Sequence, residues 1–146
     1  MGRQSDRNAV NAVSILVDSS VWIDGFNPKI KTPEKEHLKQ LIQDDYPIYL
    51  CPVIYQEVLQ GIRDERAYEQ IKSILQHYEM IHIDIMNVTE HAIDLYRLLR
   101  KKGITIRKSV DCLIASYAIL ANMALLHNDI DFSHIAQASK LKTVTI

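Results

Sequence analysis

Short apolar runs alternate with segments of helical length along the whole chain, and this alternation restricts the fold more than any other feature. "SILVDSS", residues 14–20, sets Ile15, Leu16 and Val17 between turn-forming residues. "PIYLC" (47–51), "ALL" (124–126) and "KTVTI" (142–146) repeat the pattern. Runs this short, apolar on both faces and bounded by turn signals, read as strands buried in a parallel sheet. "MIHID" (80–84) reads equally as a strand or an extended connection. Helix signals lie between them. "SVWIDGF" starts a short helix, and in "TPEKEHLKQLIQDD" Thr32 caps, Pro33 enters and acids follow. Pro52 opens "PVIYQEVLQG", with Gly61 near its stop. "ERAYEQIKSILQHY" spaces Tyr68, Ile71, Ile74, Leu75 and Tyr78 by threes and fours, as an amphipathic helix does. A long helix is expected from about Val88 to Lys102, closed by Gly103, and a short one at "FSHIAQAS". "SVDCLIASYAILAN" is apolar almost all round and belongs at the centre. The whole predicts a three-layer α/β/α sandwich on a central, mostly parallel sheet of four or five strands.

A chain of 146 residues suits one domain with a real core, and 47% apolar with 24% charged residues is ordinary for a globular protein. Residues 1–13 are polar, without the apolar stretch of a secretory signal, and read as a flexible extension to a single domain over 14–146. No apolar run approaches the ~20 residues of a membrane span. Cys51 and Cys112 lie inside apolar elements without a CxxC or CxxH spacing, so they read as reduced core thiols of a cytoplasmic protein. A net charge of −1 argues against a simple nucleic-acid coat but leaves room for a local basic patch.

Acids embedded in apolar elements need a reason. Asp18 ends the first strand, Glu57 sits within "PVIYQEVLQGI", Asp111 enters the most apolar helix, and Asp129 and Asp131 follow the third strand. Each has a structural alternative. Asp18 and Asp129 could cap the helices that follow them, Asp111 could favour a helix dipole behind a Ser109 cap, and Glu57 could face solvent. His37, His77, His82 and His91 read as surface or edge residues, and His127 as a bystander beside the acids. Taken together, though, the acids fall at strand ends, or at starts of helices, that a parallel sheet gathers on one edge. Carboxylates crowded there repel unless a cation neutralises them, and oxygen donors without Cys or His suit Mg²⁺ or Mn²⁺.

"ILVDSSVWID", "PVIYQEVLQGI", "SVDCLIAS" and "LLHNDIDF" resemble, in order and spacing, the four acidic blocks of PIN-domain ribonucleases, particularly the VapC toxins of bacterial toxin–antitoxin pairs. The resemblance covers essentially everything after Ser14. It implies a PIN-like fold and Asp18, Glu57, Asp111 and Asp129 as the catalytic acids. Asp131 shares the last place, because such families put that acid at either end of the Asp-x-Asp. Ser19 or Ser20 matches a hydroxyl residue that supports the first acid. An RNA substrate, products with 5′-phosphate and 3′-hydroxyl, a homodimer and a cognate antitoxin are further implications.

Hydrolysis by metal-activated water is the expected mechanism, with Asp18, Asp111, Asp129 and Asp131 as metal ligands and Glu57 as ligand or water-orienting group. No Ser-His-Asp or Cys-His arrangement suggests a covalent route. "RLLRKKGITIRK" carries six basic residues and no acid. Arg107 and Lys108, at its end, either contact RNA or complement a helix terminus. Two other classes remain: a Mg²⁺-dependent receiver-like interaction module and a catalytically silent RNA-binding module.

Overall fold

The computed structural model describes residues 13–146. Most of the expected N-terminal extension lies outside the described residues; Val13 does not, and its carbonyl accepts from Tyr46 Oη at 2.8 Å. The order of elements is β1 (Ile15–Val17), α1 (Ser19–Phe26), α2 (Pro33–Gln43), β2 (Ile48–Leu50), α3 (Pro52–Gln60), α4 (Glu65–Leu75), β3 (Glu79–Met80), α5 (Ile85–Lys101), α6 (Val110–Leu120), β4 (Ala124–Leu126), α7 (Ile130–Ala138) and β5 (Lys142–Thr143). The five strands run in the order β3-β2-β1-β4-β5 and every pairing is parallel. The α/β/α expectation therefore holds, with the sheet wholly parallel.

Strand order also explains the layers. From β1 to β3 the chain moves one way across the sheet, and from β3 through β4 to β5 it moves back. Right-handed crossovers then put α1–α4 on one face and α5–α7 on the other. Packing of α1 on α2 and α3, and of α6 on α5 and α7, agrees with that division. The reversal falls between β1 and β4. In open parallel sheets that is where a crevice opens beyond the carboxyl ends of the strands.

Local chemistry sets the element ends. Thr32, Asp64 and Asp84 each accept a backbone N–H of the following first turn, at 3.1, 2.8 and 3.2 Å. Asp84 moves the start of α5 to Ile85, three residues before the expected Val88. Similarly, α7 begins at Ile130 because Asp129 caps it. Three helices end on a left-handed residue: Asp45 after α2, Gly103 after α5 and Asn122 after α6. Sequence inspection picks out the glycine and overlooks the other two. The end strands are shorter than expected, and β3 and β5 hold two residues each.

The core runs through Leu16, Val17, Leu50, Leu125 and Leu126 of the three central strands, all fully buried. Seven of the eleven residues of α6 are buried, as its all-round apolarity requires. In α4, by contrast, Leu75 is buried while Ile74 is exposed. His91 is no free surface residue: its Nδ1 lies 2.8 Å from the buried Ser116 hydroxyl. Both cysteines are free and buried, and burial pushes the thiols up to about 12 for Cys51 and about 11 for Cys112. They sit in the core, as the sequence predicts. Among the described residues, no helix is long and apolar enough to cross a membrane.

Candidate active site

Register brings the segments of the first and the last acids together. Val17 pairs with Leu126, and the Asp18 N–H donates to the Leu126 carbonyl at 2.9 Å. The residues after β1 and β4 thus stand side by side over the crevice. Asp18, Ser19, Ser20, Ile23, Glu57, Gln60, Lys108, Asp111 and Asp129 line a cleft of about 280 Å³ there. The quartet read from the sequence shares this one cleft; Asp131 is not among its walls.

Asp18 is the N-cap of α1. Its Oδ2 accepts from the Ser20 backbone N–H at 3.2 Å and from the Ser20 hydroxyl at 2.5 Å. The neighbouring hydroxyl does something else: Ser19 Oγ donates to Glu57 Oε1 at 3.0 Å, joining α1 to α3. So Ser20 supports the first acid and Ser19 the second. Burial raises the Asp18 pKa above the ordinary range, with the Ser20 hydrogen bonds opposing it.

On the far side, one carboxylate oxygen each from Asp111, Asp129 and Asp131 falls within 4.8 Å of the others. Asp129 caps α7 through Oδ1, which accepts the Asp131 N–H at 3.0 Å. Its second oxygen stands 3.9 Å from Lys108 Nζ. Asp131 is paired with Arg107, Nε to Oδ2 at 2.9 Å, and the Arg107 terminal nitrogen is 3.6 Å from Asp129 Oδ1. Both cap readings are therefore right for Asp18 and Asp129, and each cap uses one oxygen, leaving the other for the cleft.

Asp111 is different. It is 2% exposed, in the first turn of α6, and among the described residues its Oδ2 has no hydrogen-bond partner. Ser109 has helical backbone angles and makes no side-chain cap bond, so the capping alternative finds no support. The Asp111 pKa rises to about 6, chiefly by burial and further by the charges of Asp129, Asp18 and Asp131, against the pull of Lys108. A bare buried acceptor costs on the order of 1–3 kcal/mol. Beside two more carboxylates, in an oxygen-only set, it fits a hard divalent cation.

Sequence inspection missed two wall residues and one support. Gln60 follows Glu57 by one helical turn, and Ile23 lies on α1 beyond the serines, so helical spacing was the available signal. His127 is more than a bystander. Its Nδ1 accepts the Asp129 N–H at 3.2 Å, and its ring packs 5.3 Å from Phe132. Burial lowers the His127 pKa against the attraction of Asp18.

Comparison with known proteins adds a separate line of support. Residues 15–138 match the PIN domain. The chain belongs to the PIN-domain family. This PIN domain is 28% identical over 131 residues to the VapC ribonuclease Mb1587 of Mycobacterium bovis, covering 90% of this chain and 98% of that protein. Ribonuclease VapC11 of Mycobacterium tuberculosis gives the same values. Among solved structures, VapBC2 from Rickettsia felis, bound to a DNA fragment from its promoter, superposes with a TM-score of 0.68 at 19% identity, over 89% of this chain and 96% of that one. Mycobacterium tuberculosis VapC20, a sarcin–ricin loop cleaving toxin, gives 0.65 at 19% identity over 88% and 99%. The resemblance carried by the four acidic blocks is thus borne out by relatives that are VapC ribonucleases and by the fold.

Proposed function

We propose that this PIN domain is a divalent-metal-dependent endoribonuclease that hydrolyses RNA phosphodiester bonds with activated water, and that it is the toxin of a type II toxin–antitoxin pair. The observation that carries the reading is the bare, buried Asp111 Oδ2 beside the oxygens of Asp129 and Asp131. A silent RNA-binding module would keep that unpaired acceptor at a cost and for no return. A receiver-like module calls for an early acidic pair, whereas Asp18 is followed by two serines.

Asp111 and Asp129 would hold the metal, with Asp18 completing the site across the cleft, directly or through water. When bound, Mg²⁺ or Mn²⁺ would neutralise the carboxylates and the phosphate and acidify water. The protein's own groups do the rest. Ser19 holds Glu57 outside the crowded set, where its free oxygen can orient a water and accept its proton. Lys108, in the cleft wall, meets the phosphodiester, and the largely exposed Arg107 guanidinium adds a second positive charge at the rim.

The named relatives support an antitoxin partner, and a homodimer acting in the cytoplasm accords with the same kinship. Incubation of contaminant-free protein with RNA, in EDTA and then in excess Mg²⁺ or Mn²⁺, tests the reading, with Asp111→Asn alongside. Cleavage that ignores chelator would refute it.

A further inference from the structure

The segment from Gly103 to Ser109 joins α5 to α6 as an irregular strap across the N-terminal turn of α7. It is anchored at one end by the Ile104 N–H to the Leu99 carbonyl at 2.9 Å and in the middle by buried Ile106. Its next residue, Arg107, makes two unequal contacts. Nε to Asp131 Oδ2, at 2.9 Å, is a charge-assisted hydrogen bond. The terminal nitrogen, at 3.6 Å from Asp129 Oδ1, is beyond hydrogen-bond reach. The two acids differ to match: the Asp131 side chain is 7% exposed and that of Asp129 20%.

We propose that Arg107 is a positioning residue that commits Asp131 to an internal ion pair and so leaves Asp129 and Asp111 to receive the divalent cation. Three carboxylates with oxygens within 4.8 Å of one another repel unless a positive charge compensates them. Arginine supplies it permanently, since a guanidinium does not lose its proton in a protein. Turning to a metal would cost Asp131 its 2.9 Å charge-assisted bond to the guanidinium, which its 7% exposed side chain cannot readily replace with water. Asp129 gives up only the contacts at 3.6 and 3.9 Å. Both acids of the Asp-x-Asp are then required, but for different reasons: one binds the cation and the other holds the arginine off it.

The inference rests on the metal reading above, and its test separates the two. Mn²⁺ binding to RNA-free protein is measured by calorimetry for wild type, Asp129→Asn, Asp131→Asn, Arg107→Ala and the pairwise combinations with Arg107→Ala. In Asp131→Asn the released guanidinium swings wholly onto Asp129, and Mn²⁺ affinity falls by about tenfold. Adding Arg107→Ala to that variant removes the competitor and restores affinity to within about threefold of wild type, a coupling that a double-mutant cycle reads directly. Arg107→Ala alone frees Asp131 for the cluster and tightens Mn²⁺ binding. Asp129→Asn weakens it with or without Arg107. If Asp131→Asn fails to fold, the double variant, which removes both charges of the pair, still carries the comparison with wild type. Should the double variant remain as weak as Asp131→Asn, or as weak as Asp129→Asn, Asp131 is a metal ligand and the proposal is wrong. Absence of Mn²⁺ binding by wild type would overturn the metal reading itself, and this one with it.

Discussion

The two walls of the cleft hold their acids by opposite means. On one wall hydroxyl groups do it, Ser20 for Asp18 and Ser19 for Glu57. On the other, Asp111 and Asp129 each bring an oxygen within 4.8 Å of the other and of one from Asp131 outside the cleft, one Asp111 oxygen stays bare, and the compensating groups are the cations Arg107 and Lys108. Neutral donors satisfy a carboxylate without needing a counter-charge. Crowded, partly buried carboxylates need one. The hydroxyl wall thus has its own hydrogen-bond donors, whereas the crowded wall keeps a bare acceptor that the proposed cation would meet. On the proposed reading, that division suits Glu57 to handling water and Asp111 to holding metal.

Loss of the cation should give the largest effect. In EDTA, or as Asp111→Asn in any metal, RNA cleavage is expected to fall by several orders of magnitude, with Mg²⁺ or Mn²⁺ rescuing wild type alone. Product analysis on a defined RNA reads this, and an Asp111→Asn protein that still cuts would erase the contrast between the walls. Next comes Ser19→Ala, which should lower kcat by about 10–100-fold while leaving Mn²⁺ affinity as in wild type. If Mn²⁺ affinity drops instead, Glu57 belongs with the crowded acids.

A stability difference of intermediate size follows from Asp111. Its pKa near 6 in the folded protein, against 3.8 for an ordinary aspartate, means the fold binds the proton more tightly than the unfolded chain. Stability from this group is then fully present below about pH 4 and is lost as pH rises through about 6, by up to about 3 kcal/mol. Asp111→Asn keeps the neutral form at every pH. In EDTA at pH 7.5 it should melt above wild type, and the gap should close on acidification. A mutant melting below wild type at pH 7.5 would show that the charged form is welcome there. The smallest effect concerns Lys108→Ala. RNA affinity of the chelated protein should weaken modestly, and its log–log salt dependence should flatten by roughly one unit for the lost phosphate contact. An unchanged slope would leave Lys108 as a partner of Asp129 alone.

The acids were legible because their oddity is local: a carboxylate at the end of "ILV" or inside "VDCLIAS" is out of place whatever the rest of the chain does. The parallel sheet was legible for the same reason, since short apolar runs need both faces covered. Pairing was not legible. Ser19 bonds Glu57 across 38 positions and Arg107 bonds Asp131 across 24, and nothing in either local sequence names the other. Adjacent serines look interchangeable until α1 starts at Ser19 and its first turn aims the two hydroxyls at different elements. Likewise the basic run before α6 reads as one patch. The fold gives its two last cations different main partners, Asp131 at 2.9 Å for Arg107 and Asp129 Oδ2 at 3.9 Å for Lys108.

The pairing of β1 with β4 has a consequence for how the protein comes into being. Asp18 reaches its place only when Val17 lies beside Leu126, roughly 110 positions later, and contacts so distant in sequence form late. At ribosomal rates of about 5–20 residues per second, the first strand waits some 5–20 seconds for its neighbour to be made. Until then the serine-held acids and the crowded acids belong to separate stretches of nascent chain, and no cleft exists between them. A growing polypeptide of this sequence therefore has no assembled cleft until the residues through β4 and Asp129 have been made.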